Sequence, residues 1–330
     1  MRVLISGAGI AGPTLAYWLA YHGFTPTLVE RAPRLRTAGY VIDFWGAGFE
    51  VARRMGLVPG ILDAGYRIRE VRVVDAAGRR IAGFPAAAFT PAIGADFTSL
   101  PRGDLAATIY HSIPDNVETL FGDTIARLDQ TGRDVTVAFE RHPSRTFDLV
   151  VGADGLHSRV RALVFGPERR YERYLGIKVA AFEAPGYTPR DELVYVMFSQ
   201  IGQQVARFAM RDDRTMFLFT FADANPEVPA SMSEQKAQLR ARFGNAGWEC
   251  RHILDALEDV DDLYFDRISQ IEMREVDGLW TRERVTLVGD AAFCVSLLGG
   301  QGSALAMTAA YILAGELHRA AGDHRRAFAE

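Results

Sequence analysis

Three segments of the 330-residue chain carry residue types that could do chemistry. The first is Gly7-Ala8-Gly9-Ile10-Ala11-Gly12. Glycines at this spacing permit a tight turn, let a pyrophosphate approach the backbone, and let the following helix pack on the preceding strand. The free N–H groups of that helix's first turn favour phosphate. Glu30 ends the next apolar run and is placed to accept hydrogen bonds from an adenosine ribose. The competing reading is a glycine-rich turn without a ligand, and the dinucleotide could be NAD(P) or FAD. The second segment runs from Asp148 to Arg161, where an apolar stretch delivers Asp154-Gly155 to a turn. The third is Val285-Thr286-Leu287-Val288-Gly289-Asp290-Ala291-Ala292, followed by Leu298-Gly299-Gly300-Gln301-Gly302. No second GxGxxG and no CxxC is present, which argues against a disulfide-reductase type of flavoprotein.

These turns need strands before them and helices after them. Residues 2–6 and 25–30 read as buried strands around a helix at 11–22, a complete βαβ unit. Residues 31–48, rich in Arg, Gly and Pro, read as an extended connection, and 68–84 as a hairpin turning at Ala77-Gly78. Strands are expected at 176–182, 193–199, 205–210 and 215–221, two helices within 231–259, and a strand at 263–274. The last strand, 284–289, leads through the glycine-rich loop to a helix from Ser303 to about Ala321. A short helical stretch after Gly322-Asp323 has too few residues to be stable by itself.

Composition limits the function classes. Apolar residues make up 48% and charged residues 24%, the balance of a globular chain. The net charge of −4 argues against nucleic acid as a partner. No run of about 18 apolar residues is present, so no membrane span is expected. Two distant cysteines, Cys250 and Cys294, make no disulfide framework and read as inert. A cytoplasmic location and a monomeric state are the expectations. No metal set, triad or carboxylate pair is visible, so no catalytic acid, base or nucleophile is assigned.

Together the motifs GAGIAG, GADG and GDAA, in this order, resemble the class A flavoprotein monooxygenases with the p-hydroxybenzoate hydroxylase fold. The resemblance covers essentially the whole chain. Residues 289–307, with Trp248-Glu249 and Asp262-Leu263-Tyr264-Phe265-Asp266, are similar to the branch containing Tet(X)-type tetracycline-inactivating monooxygenases. The implied fold class is α/β: a Rossmann-like FAD-binding domain with a β-rich substrate domain inserted. The FAD-binding domain is expected from 1–70, 98–170 and 276–330, and the substrate domain from 71–97 and 171–275. The resemblance implies a C-terminal helix bridging the domains, and this helix is expected to be incomplete in this sequence.

The resemblance implies FAD as cofactor and NADPH or NADH as co-substrate. Gly7, Gly9, Ile10, Ala11 and Gly12 would surround the pyrophosphate, with Glu30 and Arg31 at the adenosine end. Arg102 matches the family arginine near the diphosphate and ribityl region, and Asp290 the aspartate on the ribityl chain. Asp154 belongs to a motif serving both FAD and NAD(P)H. Gly299, Gly300, Gln301 and Gly302 would lie against the flavin ring, where the helix dipole supports negative charge. Asp43 falls in the segment lining access for the mobile flavin and nicotinamide. Arg159 and Arg161 read as structural, and His157 as an exposed loop histidine without chemistry.

The central sheet would roof a pocket for an aromatic or polyketide-like small molecule, with Phe208, Phe217, Phe219 and Leu297 as candidate lining. The reaction implied is hydroxylation through a C4a-hydroperoxyflavin, and tetracycline inactivation is one specific case. The alternatives are a flavin- or ligand-binding protein without turnover and a related flavoprotein reductase. After GDAA the family pattern has His and then Pro; this chain has Phe293 and Val295. Valine does not stiffen the loop as proline does, so weaker flavin binding or slower flavin oxidation is expected.

Overall fold

The computed structural model describes residues 1–35, 39–89, 96–273 and 279–329. The expected domain boundary at 276 and the stretch 90–95 lie outside the described residues.

The chain opens with β1 (Arg2–Ser6), α1 (Ala11–Tyr21) and β2 (Thr25–Glu30), the expected βαβ unit. The connection after it is not merely extended. It contains β3 (Val41–Trp45), followed by α2 (Ala47–Arg54) and α3 (Val58–Ala64). The reason is pairing: β3 lies antiparallel to a later strand, with Val41 opposite Pro101. The hairpin β4 (Glu70–Val74) and β5 (Arg80–Pro85) comes next, then β6 (Phe97–Pro101), the partner of β3, and α4 (Arg102–Tyr110). Five strands follow: β7 (Glu118–Phe121), β8 (Ile125–Gln130), β9 (Val135–Phe139), β10 (Arg145–Phe147) and β11 (Leu149–Gly152). Helix α5 (Arg159–Val164) is capped by the Ser158 side chain, which accepts from Arg161 N.

Four long strands come next: β12 (Glu172–Pro185), β13 (Val194–Gln200), β14 (Gln203–Ala209) and β15 (Arg214–Ala222). Helix α6 (Met232–Phe243) starts at a capping box of Ser231 and Glu234, and α7 (Cys250–Ala256) follows. The chain closes with β16 (Tyr264–Ile271), β17 (Thr281–Arg282), β18 (Val285–Leu287), α8 (Asp290–Phe293), α9 (Gly302–Arg319) and α10 (His324–Ala327). That last short helix is supported rather than frayed. Asp323 accepts from Arg325 N and Arg326 N, and His324 and Ala327 are buried.

Among the described residues, one sheet has the order β17-β18-β11-β1-β2-β7. The β18-β11-β1-β2-β7 pairs are all parallel. Ser6 stands opposite Gly152, and Gly152 opposite Leu287, so the strands before the three motifs end side by side. In such a sheet the ligand crevice lies at the carboxyl ends of the strands. Helices α1 and α9 pack together over one face, in a core that includes Leu15, Leu19, Met307 and Ala310.

A second sheet has the order β16-β12-β15-β14-β13-β4-β5. Its two faces differ, because side chains alternate along each strand. Phe182, Phe217, Phe219 and Phe221 face α6 and α7 and form a core with Leu239, Phe243 and Ile253. Ala181, Phe208 and Met216 occupy the other face, packed with Tyr40, Val41, Tyr195, Leu218 and Tyr264. Phe217 and Phe219 are therefore not pocket lining. Both are 0% exposed, and Phe219 meets the Phe243 ring edge-on at 4.8 Å. Their regular alternation pointed to one common face, and that face is covered by the two helices.

Phe219→Ala is expected to lower stability in denaturant unfolding by about 3–5 kcal/mol, the cost of a large core cavity. Flavin affinity should be unchanged, and a large loss of flavin affinity without loss of stability would contradict this placement.

Candidate functional site

The glycine-rich turn shows which of its glycines the chain itself requires. Gly7 has φ of +106°, and a Cβ there would stand 2.5 Å from the carbonyl oxygen of Ala153. A Cβ on Gly12 would stand 1.9 Å from the carbonyl oxygen of Gly7. Both positions are closed to any side chain by backbone. Gly9 differs: its nearest neighbour would be an Arg102 guanidinium nitrogen at 3.6 Å. The protein does not need glycine there for its own packing, so the space belongs to what the turn holds. A bare backbone beside a cation fits a pyrophosphate.

Glu30 reaches the same turn. Its two carboxylate oxygens accept from Ala8 N at 2.9 Å and Ala32 N at 2.8 Å. The carboxylate thus joins the end of β2 to the turn before α1. Arg31 beside it is exposed, while Ile10 and Ala11 are buried and offer the site only backbone. Arg102 begins α4, and its N–H donates to Tyr40 O at 3.0 Å. Its guanidinium makes no hydrogen bond or ion pair among the described residues, which leaves a cation free beside Gly9.

Asp290 starts α8 and faces the first turn of α9, where a Cβ on Gly302 would lie 3.7 Å from its Oδ1. Burial pushes its carboxyl above the usual range, and the Arg102 cation opposes that push. Gly299 and Gly300 are exposed, Gln301 caps α9, and Leu297 is half-buried. The loop before them is held without proline. Ser296 takes φ of 93° and its Oγ accepts from Leu298 N at 3.2 Å. The Val295 carbonyl accepts from Gln270 Nε2 at 3.3 Å, and Phe293 lies edge-on to Trp280 at 5.2 Å. Cys294 is buried, and burial pushes both cysteine thiols up to about 12, far from a reactive thiolate.

Asp154 serves its own turn. It accepts from Ser158 Oγ at 2.5 Å, Arg159 N at 2.8 Å and Val160 N at 3.1 Å, and so caps α5. Arg161 is fully buried and donates to Ala291 O at 3.0 Å, pinning the second motif to the third. Asp43 accepts from Ser99 Oγ at 2.5 Å across the β3–β6 pair. His157 is exposed, as expected, but it is not idle: it lies between the carboxylates of Glu168 and Asp266.

The other face of the long-stranded sheet turns towards these groups, but the candidate Phe208 on it is itself buried and stacks on Tyr195 with ring centroids 4.6 Å apart. Tyr40, whose carbonyl holds Arg102, packs on Tyr264 with ring centroids 5.4 Å apart. Tyr264, Ala181, Leu218 and Ala206 form one rung across four strands. A cavity of about 390 Å³ opens at its end, lined by Gly39, Pro101, Asp104, Ala181, Glu183 and Tyr264 among others. A larger recess of about 550 Å³ lies by Arg72, Arg207 and Trp248 and includes no motif residue. Sequence reading placed Tyr264 in a motif of resemblance but gave neither it nor Tyr40 a site role. The available signal was alternation: Phe265 joins the helix-covered core, so Tyr264 must face the other way. No group of His, Cys, Asp and Glu able to hold a metal occurs among the described residues. No helix among them is long and apolar enough to cross a membrane.

A Rossmann-type crevice joined to a two-faced sheet defines a class of flavin-binding hydroxylases, and comparison with known proteins agrees. Residues 1–326 match the FAD binding domain family. The chain is 37% identical over 338 residues to a flavin-dependent monooxygenase of an unknown prokaryotic organism, covering 99% of this chain and 84% of that protein. It is 34% identical over 338 residues to a flavin-dependent monooxygenase of Legionella longbeachae, covering 99% and 83%. The crystal structure of tetracycline destructase Tet(55) superposes with a TM-score of 0.87 at 36% identity, over 99% of this chain and 83% of that one. The chain belongs to the FAD binding domain family and is a class A FAD-dependent monooxygenase, with FAD as its cofactor.

The glycines separate folding from binding. Gly9→Ala is expected to leave the stability of the flavin-free protein within about 1 kcal/mol, yet to weaken FAD binding roughly tenfold or more in a fluorescence titration. Gly12→Ala should instead destabilise the flavin-free protein by more than about 2 kcal/mol, because backbone must move. Equal behaviour of the two variants would contradict the cradle.

Proposed function

We propose that this enzyme uses NAD(P)H and dioxygen to hydroxylate a planar aromatic or polyketide-like small molecule, held between the flavin and the sheet edge at Tyr264. The observation that carries this reading is the seam itself. Tyr40 contributes its carbonyl to Arg102 on the flavin side and its ring to Tyr264 on the sheet side. A substrate there would meet apolar side chains with phenol hydroxyls at the edge, a surface suited to stacking.

When bound, FAD supplies the redox chemistry. The chain's own part is placement. The Gly9 cradle and Arg102 would hold the diphosphate, Glu30 and Arg31 the adenosine end, and Asp290 the ribityl chain. Gly299 to Gly302 would lie along the flavin ring, with the N-terminus of α9 favouring negative charge there. Tyr40 and Tyr264 stay neutral, since burial pushes both phenols above their ordinary range. They can therefore donate hydrogen bonds to a substrate oxygen and help exclude water. We further propose the division into a discontinuous flavin-binding domain and an inserted substrate domain, supported by the separate cores of the two sheets.

A tetracycline is a specific candidate substrate, favoured by the likeness to the tetracycline destructase Tet(55). The test follows NADPH and NADH oxidation and hydrogen peroxide release by the FAD-loaded enzyme with a panel of phenols and tetracyclines. One compound or more should speed oxidation and gain one oxygen atom. Oxidation that no planar compound stimulates would overturn the reading. Asp290→Ala should retain less flavin on purification, and unchanged flavin content would remove its role.

A further inference from the structure

Strand β16 is an edge strand of the substrate sheet, yet segments of the flavin site hold it along its length. At its end, Ile271 N donates to Cys294 O at 2.9 Å, four residues after Asp290. In its middle, Arg267 bonds Glu168, in the segment between α5 and β12, at 2.8 Å. Nearer its start, Asp266 meets His157, three residues beyond Asp154 in the second motif.

The geometry fixes the state of that histidine. Nδ1 lies 3.0 and 3.2 Å from the two Glu168 oxygens, and Nε2 lies 3.3 Å from both Asp266 oxygens. Ionised carboxylates only accept hydrogen bonds. Both ring nitrogens must therefore carry hydrogen, and the ring is an imidazolium. The charges around it agree. Glu168, Glu172 and Asp266 supply three negative charges, Arg161 and Arg267 supply two positive ones, and His157 completes the balance only when protonated. The carboxylates of Asp266 and then Glu168 raise its pKa to about 9.

We propose that His157 is a positioning residue for the monooxygenase reaction: it couples the Asp154 turn of the flavin site to β16 of the substrate sheet. Through Asp266 it sets where Tyr264, two residues earlier on the same face, stands relative to the flavin. The consequence for catalysis rests on the function proposed above, whereas the tie is a property of the flavin-free protein.

The test uses His157→Gln and Asp266→Asn, with two readouts. In flavin-free protein at pH 7, hydrogen exchange in both 153–158 and 264–271 should quicken about fivefold in either variant. The stabilising effect of a raised histidine pKa is full below about 6.5, the unfolded value, and is lost as pH rises through about 9. The melting-temperature advantage of the wild type over His157→Gln should therefore be present at pH 6.5 and gone by pH 9.5. In the FAD-loaded enzyme, more hydrogen peroxide should form per NAD(P)H consumed. Unchanged exchange at 264–271, or a pH-independent melting difference, overturns the tie. Faster exchange with unaltered peroxide leakage overturns the positioning role. A wild type that binds no FAD fails the functional reading, a result distinct from both.

Discussion

The carbonyl oxygen of Ala153 stands 2.5 Å from where a side chain on Gly7 would begin. That approach constrains the rest of the flavin site. It brings the end of β11 against the turn after β1, so Asp154 lies beside the glycine-rich loop. The third strand joins through Gly289, where a Cβ would lie 3.1 Å from the Cβ of Ala11. Arg161 then locks the second motif to the third by its bond to Ala291 O. Three segments far apart in the chain thus form one crevice, and Arg102 brings in a fourth through Tyr40.

The substrate sheet depends on this crevice through β16. Its neighbour β12 pairs with it from Glu172 opposite Ile271 to Ala181 opposite Tyr264, so the strand is fixed within the sheet. Among its other contacts are hydrogen bonds to the loops at His157, Glu168 and Cys294. A movement of either part would be felt by the other at β16, and also where Arg211 bonds Tyr66 and Ala64. The polar side of this junction is charge-balanced, which is how partly buried ions are tolerated. The loop at Val295 is held by hydrogen bonds from Gln270 on β16 and within Ser296–Leu298.

The flavin crevice was largely legible in the sequence, because its chemistry lies in local turns. Glycine spacing and strand-turn-helix order belong to a few consecutive residues, and Gly7, Gly12 and Gly289 are constrained where the motifs stand. The pocket face was not legible. Alternation in 215–221 showed that Phe217 and Phe219 share a face with Phe221, but only tertiary packing decides that α6 and α7 cover it. The strand β3 was passed over because Arg, Gly and Pro dominate the residues around it, although Val41-Ile42-Asp43-Phe44-Trp45 is itself strand-forming, and its pairing partner lies more than 50 residues away. His157 is exposed as the sequence suggested, but its ion pairs were not legible. Its partners Glu168 and Asp266 come from other elements, and no local signal reports them.

The crevice would hold a flavin dinucleotide, with the adenylate end at Glu30 and the diphosphate at the Gly9 cradle and Arg102. Titration of flavin-free protein with FAD and with FMN, followed by flavin fluorescence, tests it most directly. FMN lacks the adenylate half. FAD should bind at one equivalent per chain and at least about 100-fold more tightly than FMN. Equal affinity for the two, or binding of neither, would contradict the account.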